Sequence, residues 1–351
     1  MFGRSNRSGN YAYTATKAKA MKSRLIKEDD YNKMLQLSVS ELAHFASEAG
    51  YQKEVTELGD KSEGVELVER VTYAYMANTF KILLNGSQGE LHTVLAAYLQ
   101  KWDNWNIKVI LRGKSYGLST DEIRNDLVPA GSLSAEDLER LIAFESSEEV
   151  LTAYEKLASM PIPAEYLADF KATGNLGMIE DYMDKFRYER LVKIIPTNTI
   201  PTRMFSQYVR GAIDIKNLET ILKLKVEGVT GEAVMPYVIE GGKQIDSKFA
   251  KQLADAATLE DTYADLAQLD FYDSIKEQID NGEFNVRNLI LNTQKYEMSV
   301  AKKFANEYPL SVLPVIDYML CMENEARNIR TIARGIESGL SKDVIKGLLV
   351  I

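Results

Sequence analysis

The chain has 351 residues, 45% of them hydrophobic and 26% charged, with a net charge of −9 and a pI near 5.1. Such a composition can build real cores, while its acidity disfavours a nucleic-acid partner, whose phosphates demand clustered Lys and Arg. Cys321 is the single cysteine, which excludes an intramolecular disulfide framework and suits a reducing compartment.

The opening "MFGRSNRSGN" is polar and glycine-rich, unlike a signal peptide, and nowhere does the chain contain an apolar run of the ~18 residues a spanning helix needs. Residues 1–27 carry seven Lys/Arg and no acid, which reads as a solvated face or as a basic edge near a membrane surface. The stretch "KAMKSRLIKEDDYNKMLQLSVSELAHFASEAGY" (Lys19–Tyr51) is helical in pattern. It is a weak relative of a segment met again later.

At Asn106 the chain reads "NIKVILRGKSYGLS", at Asn217 "NLETILKLKVEGVT", and at Asn328 "NIRTIARGIESGLS", so the three starts lie 111 residues apart. Asn106–Pro129 and Asn328–Ile351 agree at 12 of 24 positions. Apolar residues recur at helical spacing in each copy: Ile107, Ile110 and Leu111; Leu218, Ile221 and Leu222; Ile329, Ile332 and Ala333. Gly117, Gly228 and Gly339 stand where the helix must stop, since glycine enters the left-handed region without a Cβ penalty. Ser119, Thr230 and Ser341 follow as N-caps of a second helix, and only "STDE" completes a capping box. Each copy is therefore expected to be a helix–turn–helix hairpin. After it, "GSLSAEDLERLIAFESSEEVLTAYEKL" from Gly131 resembles "GKQIDSKFAKQLADAATLEDTYADLAQL" from Gly242. A 111-residue period is too long for a solenoid. The expectation is an all-α protein of three similar helical domains around a pseudo-threefold axis, divided as 1–95, 96–205 and 206–351.

Enzyme signatures fail. "GKSYG" matches G-x-S-x-G formally, but a helix enters it, Ser115 becomes Val226 and Glu337 in the sister copies, and no histidine follows. "IEGGKQ" lacks the first glycine and the hydroxyl residue of a phosphate loop. His44 and His92 stand apart without metal-ligand spacing, so no metal and no cofactor is expected. One polar constellation repeats: Asp103 with Asn106, Asp214 with Asn217, and Glu325 with Asn328, each pair at i and i+3 on one helix face. These six residues either face a partner or satisfy backbone groups within their own domain. A third use, three acids converging as a metal cage, is the enzymatic rival. A base accompanies every copy: Arg112, Lys223 and Arg334. Trp102 and Trp105 flank the first repeat as packing or docking residues, and residues 251–285 carry nine acids against two lysines, an acidic face for a basic partner or for solvent.

"AIDIKNLETILKLK" (Ala212–Lys225), "ENEARNIRTIARGIESGLS" (Glu323–Ser341) and the opening "YAYTATKAKAMKSRLI" resemble the C subunit of archaeal-type ATP synthases, related to the d subunit of vacuolar-type ATPases. The likeness covers essentially the whole chain. It implies a funnel of helical domains, peripheral on the cytoplasmic face of the membrane, seated on the rotor ring of proteolipid subunits with the central-stalk subunits in its mouth. Such a subunit is non-catalytic and couples ATP chemistry to proton or sodium transport. The chain departs from the family pattern in having Lys17, Lys19 and Lys223 where arginine is usual, which puts bidentate contacts there in question. The alternative is a helical scaffold unrelated to ATPases.

Overall fold

A computed structural model describes residues 9–351, which are helical with short connections and, among the described residues, contain no strand. Arg4 and Arg7 of the basic opening lie outside the described residues. Two compact units emerge: the described part of Met1–Glu180 together with Pro314–Ile351, and Asp181–Leu313. Their boundaries differ from the divisions expected at 95/96 and 205/206, which fall inside the helices Gly89–Ser115 and Ile200–Val226. The 111-residue period fixes the distance between equivalent points but not where a repeat begins, so counting alone cannot find the loops.

Each copy of the repeat is built on one long helix: Gly89–Ser115, Ile200–Val226 and Leu313–Glu337. The three apolar stripes read from the sequence are fully buried along them, Ile107, Ile110, Leu111, Leu218, Ile221, Leu222, Ile329, Ile332 and Ala333 all being inaccessible. Each aliphatic side chain removed from water in this way contributes about 2 kcal/mol. In the second unit Leu218, Ile221 and Leu222 share a core with Val234, Leu253, Leu266, Phe271 and Ile275. There Val286–Glu307 packs along Ile200–Val226.

All three long helices end in the same way. Gly117, Gly228 and Gly339 take φ of 72°, 82° and 68°. The following N–H reaches back five residues, Leu118 to Gly113 O at 2.9 Å, Val229 to Leu224 O at 2.8 Å and Leu340 to Gly335 O at 2.9 Å. This is the double-bonded glycine cap that satisfies the last helical carbonyls. Beyond it the copies diverge. Ser119 caps Thr120–Asn125 with a reciprocal Glu122 bond, and Ser341 caps Lys342–Gly347. The second copy instead continues as a 3-10 helix, Gly231–Tyr237, which contains Pro236 and receives no side-chain cap from Thr230. That corrects the expectation of three like hairpins. In the outer copies Ile123 and Ile345 pack so close to Gly113 and Gly335 that an added Cβ would lie 2.5 and 2.6 Å from their side chains. Leu224 occupies the equivalent position, so the same approach is closed.

Candidate functional site

The repeated acid–asparagine pairs are buried, none more than 3% exposed, and face the interior of their own repeats rather than a surface a partner could reach. Each asparagine clamps one residue 22 positions on through both of its peptide groups. Asn106 donates to Val128 O at 2.8 Å and accepts from Val128 N at 2.7 Å. Asn217 does the same with Ile239, at 2.8 Å in both directions, and Asn328 with Val350, at 2.8 and 3.1 Å. A carboxamide presents a donor and an acceptor side by side, the match for the C=O and N–H of one residue. The asparagines therefore act as a splice that holds the returning chain against the long helix.

The acids gather the next turn. Asp103 accepts from the N–H groups of Ser132 and Leu133 at 3.0 and 2.9 Å and from the Ser132 hydroxyl at 2.6 Å. Asp214 accepts from the N–H groups of Lys243, Gln244 and Ile245 at 3.1, 2.9 and 2.9 Å. Burial pushes both carboxyls above their ordinary range, while these donors pull them down. Immediately after the bound residues a new helix starts, Ala135–Ala143 capped by Ser134 and Ser247–Asp255 capped by Asp246. Gly131 and Gly242 are needed for this approach: a Cβ there would lie 2.0 and 2.2 Å from the Asp103 and Asp214 carboxylate oxygens.

In the third copy the loop that meets the acid comes from the other end of the chain. Glu325 accepts from Ile26 N at 2.5 Å and from the Tyr51 hydroxyl, and the helix Glu28–Met34 begins just after Ile26. Lys22 bridges both oxygens of Asp317 at 2.6 Å, and Tyr31 shares a hydrogen bond with Asn328. The weak amino-terminal relative noticed in the sequence is thus the missing part of the third repeat. Arg24, two residues before Ile26, stands where Gly131 stands before Leu133. Glu325 is one methylene longer than the aspartates of the other copies, and the loop it meets has no glycine at this position.

Of the three bases, Arg112 grips both oxygens of Glu180, one at 2.7 Å, and Arg334 grips both oxygens of Glu69, one at 2.9 Å. Both contacts have the forked geometry only arginine supplies. Glu69 and Glu180 are themselves one period apart, and the next position in that series is Leu291, so Lys223 has no matching glutamate. Sequence reading missed these glutamates. It also missed Lys114 and Lys225, which cap carbonyls ending the short helices, Ile142 O and Phe144 O for the one, Ala254 O and Ala256 O for the other. In both cases the signal was available as a charge recurring at the period.

Trp102 packs edge-on to Tyr73 and donates to Glu323 at 3.2 Å, so its role is inter-helix packing, while Trp105 is exposed. His92 is bonded through its ring to Leu84 O and Ser87, and His44 lies at the surface near Glu48. Among the described residues no three His, Cys, Asp or Glu side chains are placed to hold a metal, and each repeated acid is bonded to a returning loop. Among the described residues no helix is long and apolar enough to cross a membrane.

The family model described as ATP synthase (C/AC39) subunit matches residues 14–348. The chain is 33% identical to the C subunit of the A-type ATP synthase of Methanococcoides burtonii over 348 residues, 99% of this chain and 96% of the relative. It is 32% identical to the namesake of Methanosarcina mazei, covering 98% and 94%, and 31% identical to that of Archaeoglobus fulgidus, covering 100% and 99%. The reading as a scaffold unrelated to ATPases falls, and the chain belongs to the ATP synthase (C/AC39) subunit family.

Proposed function

We propose that this chain is the non-catalytic socket of the central stalk in a rotary A/V-type ATP synthase. Its three helical repeats stand around a pseudo-threefold axis as a funnel on the cytoplasmic face of the membrane. The central-stalk subunits enter the mouth, and the proteolipid rotor ring carries the other end. The socket turns with the shaft and passes torque between ATP chemistry and proton or sodium flow, binding no nucleotide itself.

The observation that carries this reading is the match, along nearly the whole of both chains, to relatives named as the C subunit of A-type ATP synthases. The build is consistent with a torque adaptor. Long helices are spliced to their own loops by buried two-way amide bonds and locked by Arg–Glu forks, so that load meets stiff, directional contacts rather than apolar surfaces free to slide.

The test is capture of the tagged full chain from gently solubilised native membranes, with partners identified by mass. Recovery of small proteolipids together with stalk and ATP-hydrolysing subunits is the expected result. Recovery of the chain without any of them overturns the proposal.

A further inference from the structure

In the third repeat the loop that meets the acid is not joined to its long helix by a short stretch of chain, as it is in the other two. The Asp103 and Asp214 loops follow their helices along the chain, whereas Ile26 and Tyr51 reach Glu325 from 299 and 274 residues away. The acid at this joint is also the least well solvated by protein. It receives one peptide N–H and one phenol, while Asp103 and Asp214 each receive three donors. The groups facing it are phenols: Tyr31 and Tyr51 from the amino-terminal arm, Tyr75 from the helix Gly64–Gly86, and Tyr318 from its own helix. The Cys321 thiol on the same helix faces Tyr31. Arg24 lies beside Tyr75, but among the described residues no cation pairs with Glu325 itself. Asp103, by contrast, feels the ammonium of Lys81.

We infer that the segment from Ile26 to Tyr51 is a proton-linked clasp, which closes the third repeat firmly when Glu325 is protonated and loosens when it ionises. A carboxylate kept from water with two neutral donors and no cation is costly, whereas a carboxylic acid in the same place can accept from Ile26 and share a hydrogen with Tyr51. Opening the arm hydrates the carboxylate, so ionisation favours the open form. Burial pushes the Glu325 carboxyl up to about 7. An acid whose pKa is raised in the closed form loses closing free energy as pH climbs from its ordinary value to the raised one. The loss runs from about pH 4.5 to about pH 7 and is complete above that. Near neutrality the clasp is therefore poised to respond.

The test is hydrogen exchange of the full chain, read by mass at pH 5.5 and 8.0 and corrected for intrinsic rates. Peptides within residues 26–51 are compared with their covalently tethered counterparts within residues 128–154. The arm should be protected about thirtyfold more at the lower pH, the roughly 1.5 pH units of linkage left between pH 5.5 and about 7, with a smaller change in the counterpart. Glu325→Gln should hold the arm at its acid-side protection at both pH values. Tyr51→Phe, which removes one donor to the carboxylate, should move the upper end of the window to higher pH. Equal protection of the wild-type arm at both pH values overturns the inference. So does a pH dependence that survives in Glu325→Gln, or a window that Tyr51→Phe leaves in place.

Discussion

The first and third repeats perform one task in two ways. In the first, Asp103 gathers a turn that the chain delivers 29 and 30 residues later, and glycine at 131 lets that turn lie against the carboxylate. In the third, a longer acid reaches for a loop from the far end of the chain, and an arginine stands where the glycine was. The difference shows that the repeat conserves the junction between carboxylate and peptide, not the connectivity. Acid length and loop residue vary together so that the junction survives.

Substitutions at matched positions can break or sharpen that comparison. The largest contrast is expected at the loop itself. Gly131→Val drives a side chain into the Asp103 carboxylate and strands buried donors, at a cost of about 4 kcal/mol or more, whereas Arg24→Val should cost less than about 1 kcal/mol. Trp102 and Trp105 both lie on Gly89–Ser115, so urea unfolding followed by tryptophan fluorescence reports on the unit that contains both mutations. Equal losses would mean that the glycine is not what the short acid requires. Next come the splices. Asn106→Leu and Asn328→Leu each leave a buried N–H unpaired, while the Val128 and Val350 carbonyls keep the Ala130 N–H and the Asn324 amide as donors, and should destabilise by about 2 kcal/mol alike. A third-repeat value near zero would show that Asn324, which also donates to Val350 O at 2.7 Å, is enough to hold Val350.

Gly228→Val should cost about 1–3 kcal/mol by circular dichroism. Its φ of 82° is strained for a β-branched residue even though an added Cβ meets nothing. The smallest contrast lies in the caps. Ser119→Ala should lose about 1 kcal/mol and Thr230→Ala almost nothing, because only the serine accepts a helical N–H.

Much of this architecture was legible in residue spacing. The period, the buried apolar stripes and the left-handed glycines are local signals, each set by helix geometry within a few residues. The partners of the polar residues were not legible. Asn106 and Val128 are 22 positions apart, and nothing in either residue type announces the other. The two possible uses of the acid–asparagine pairs could be separated only by seeing where the following loop returns. Lys223 shows the opposite case: losing arginine there was visible in the sequence, and the matching loss of a glutamate at Leu291 could have been found by counting one further period. The 3-10 helix at Gly231–Tyr237 is a failure of the repeat logic itself. Thr230 sits in register for a cap, but with Leu224 in place of glycine and Pro236 beyond it the second arm packs through Val234 as a 3-10 segment rather than as a capped α-helix.

The clasp at Glu325 also sets an order of events during synthesis. Ile26 leaves the ribosome 299 residues before the carboxylate that receives it, a delay of roughly 15–60 s at ordinary elongation rates. For that interval Tyr31, Met34, Leu42 and Tyr51, all buried in the finished protein, lack the helix Leu313–Glu337 that completes their repeat. The amino-terminal arm is thus made long before it can be locked. A nascent chain stalled before residue 325 carries an adhesive apolar segment, which is where a chaperone is most needed and where a truncated product would first aggregate.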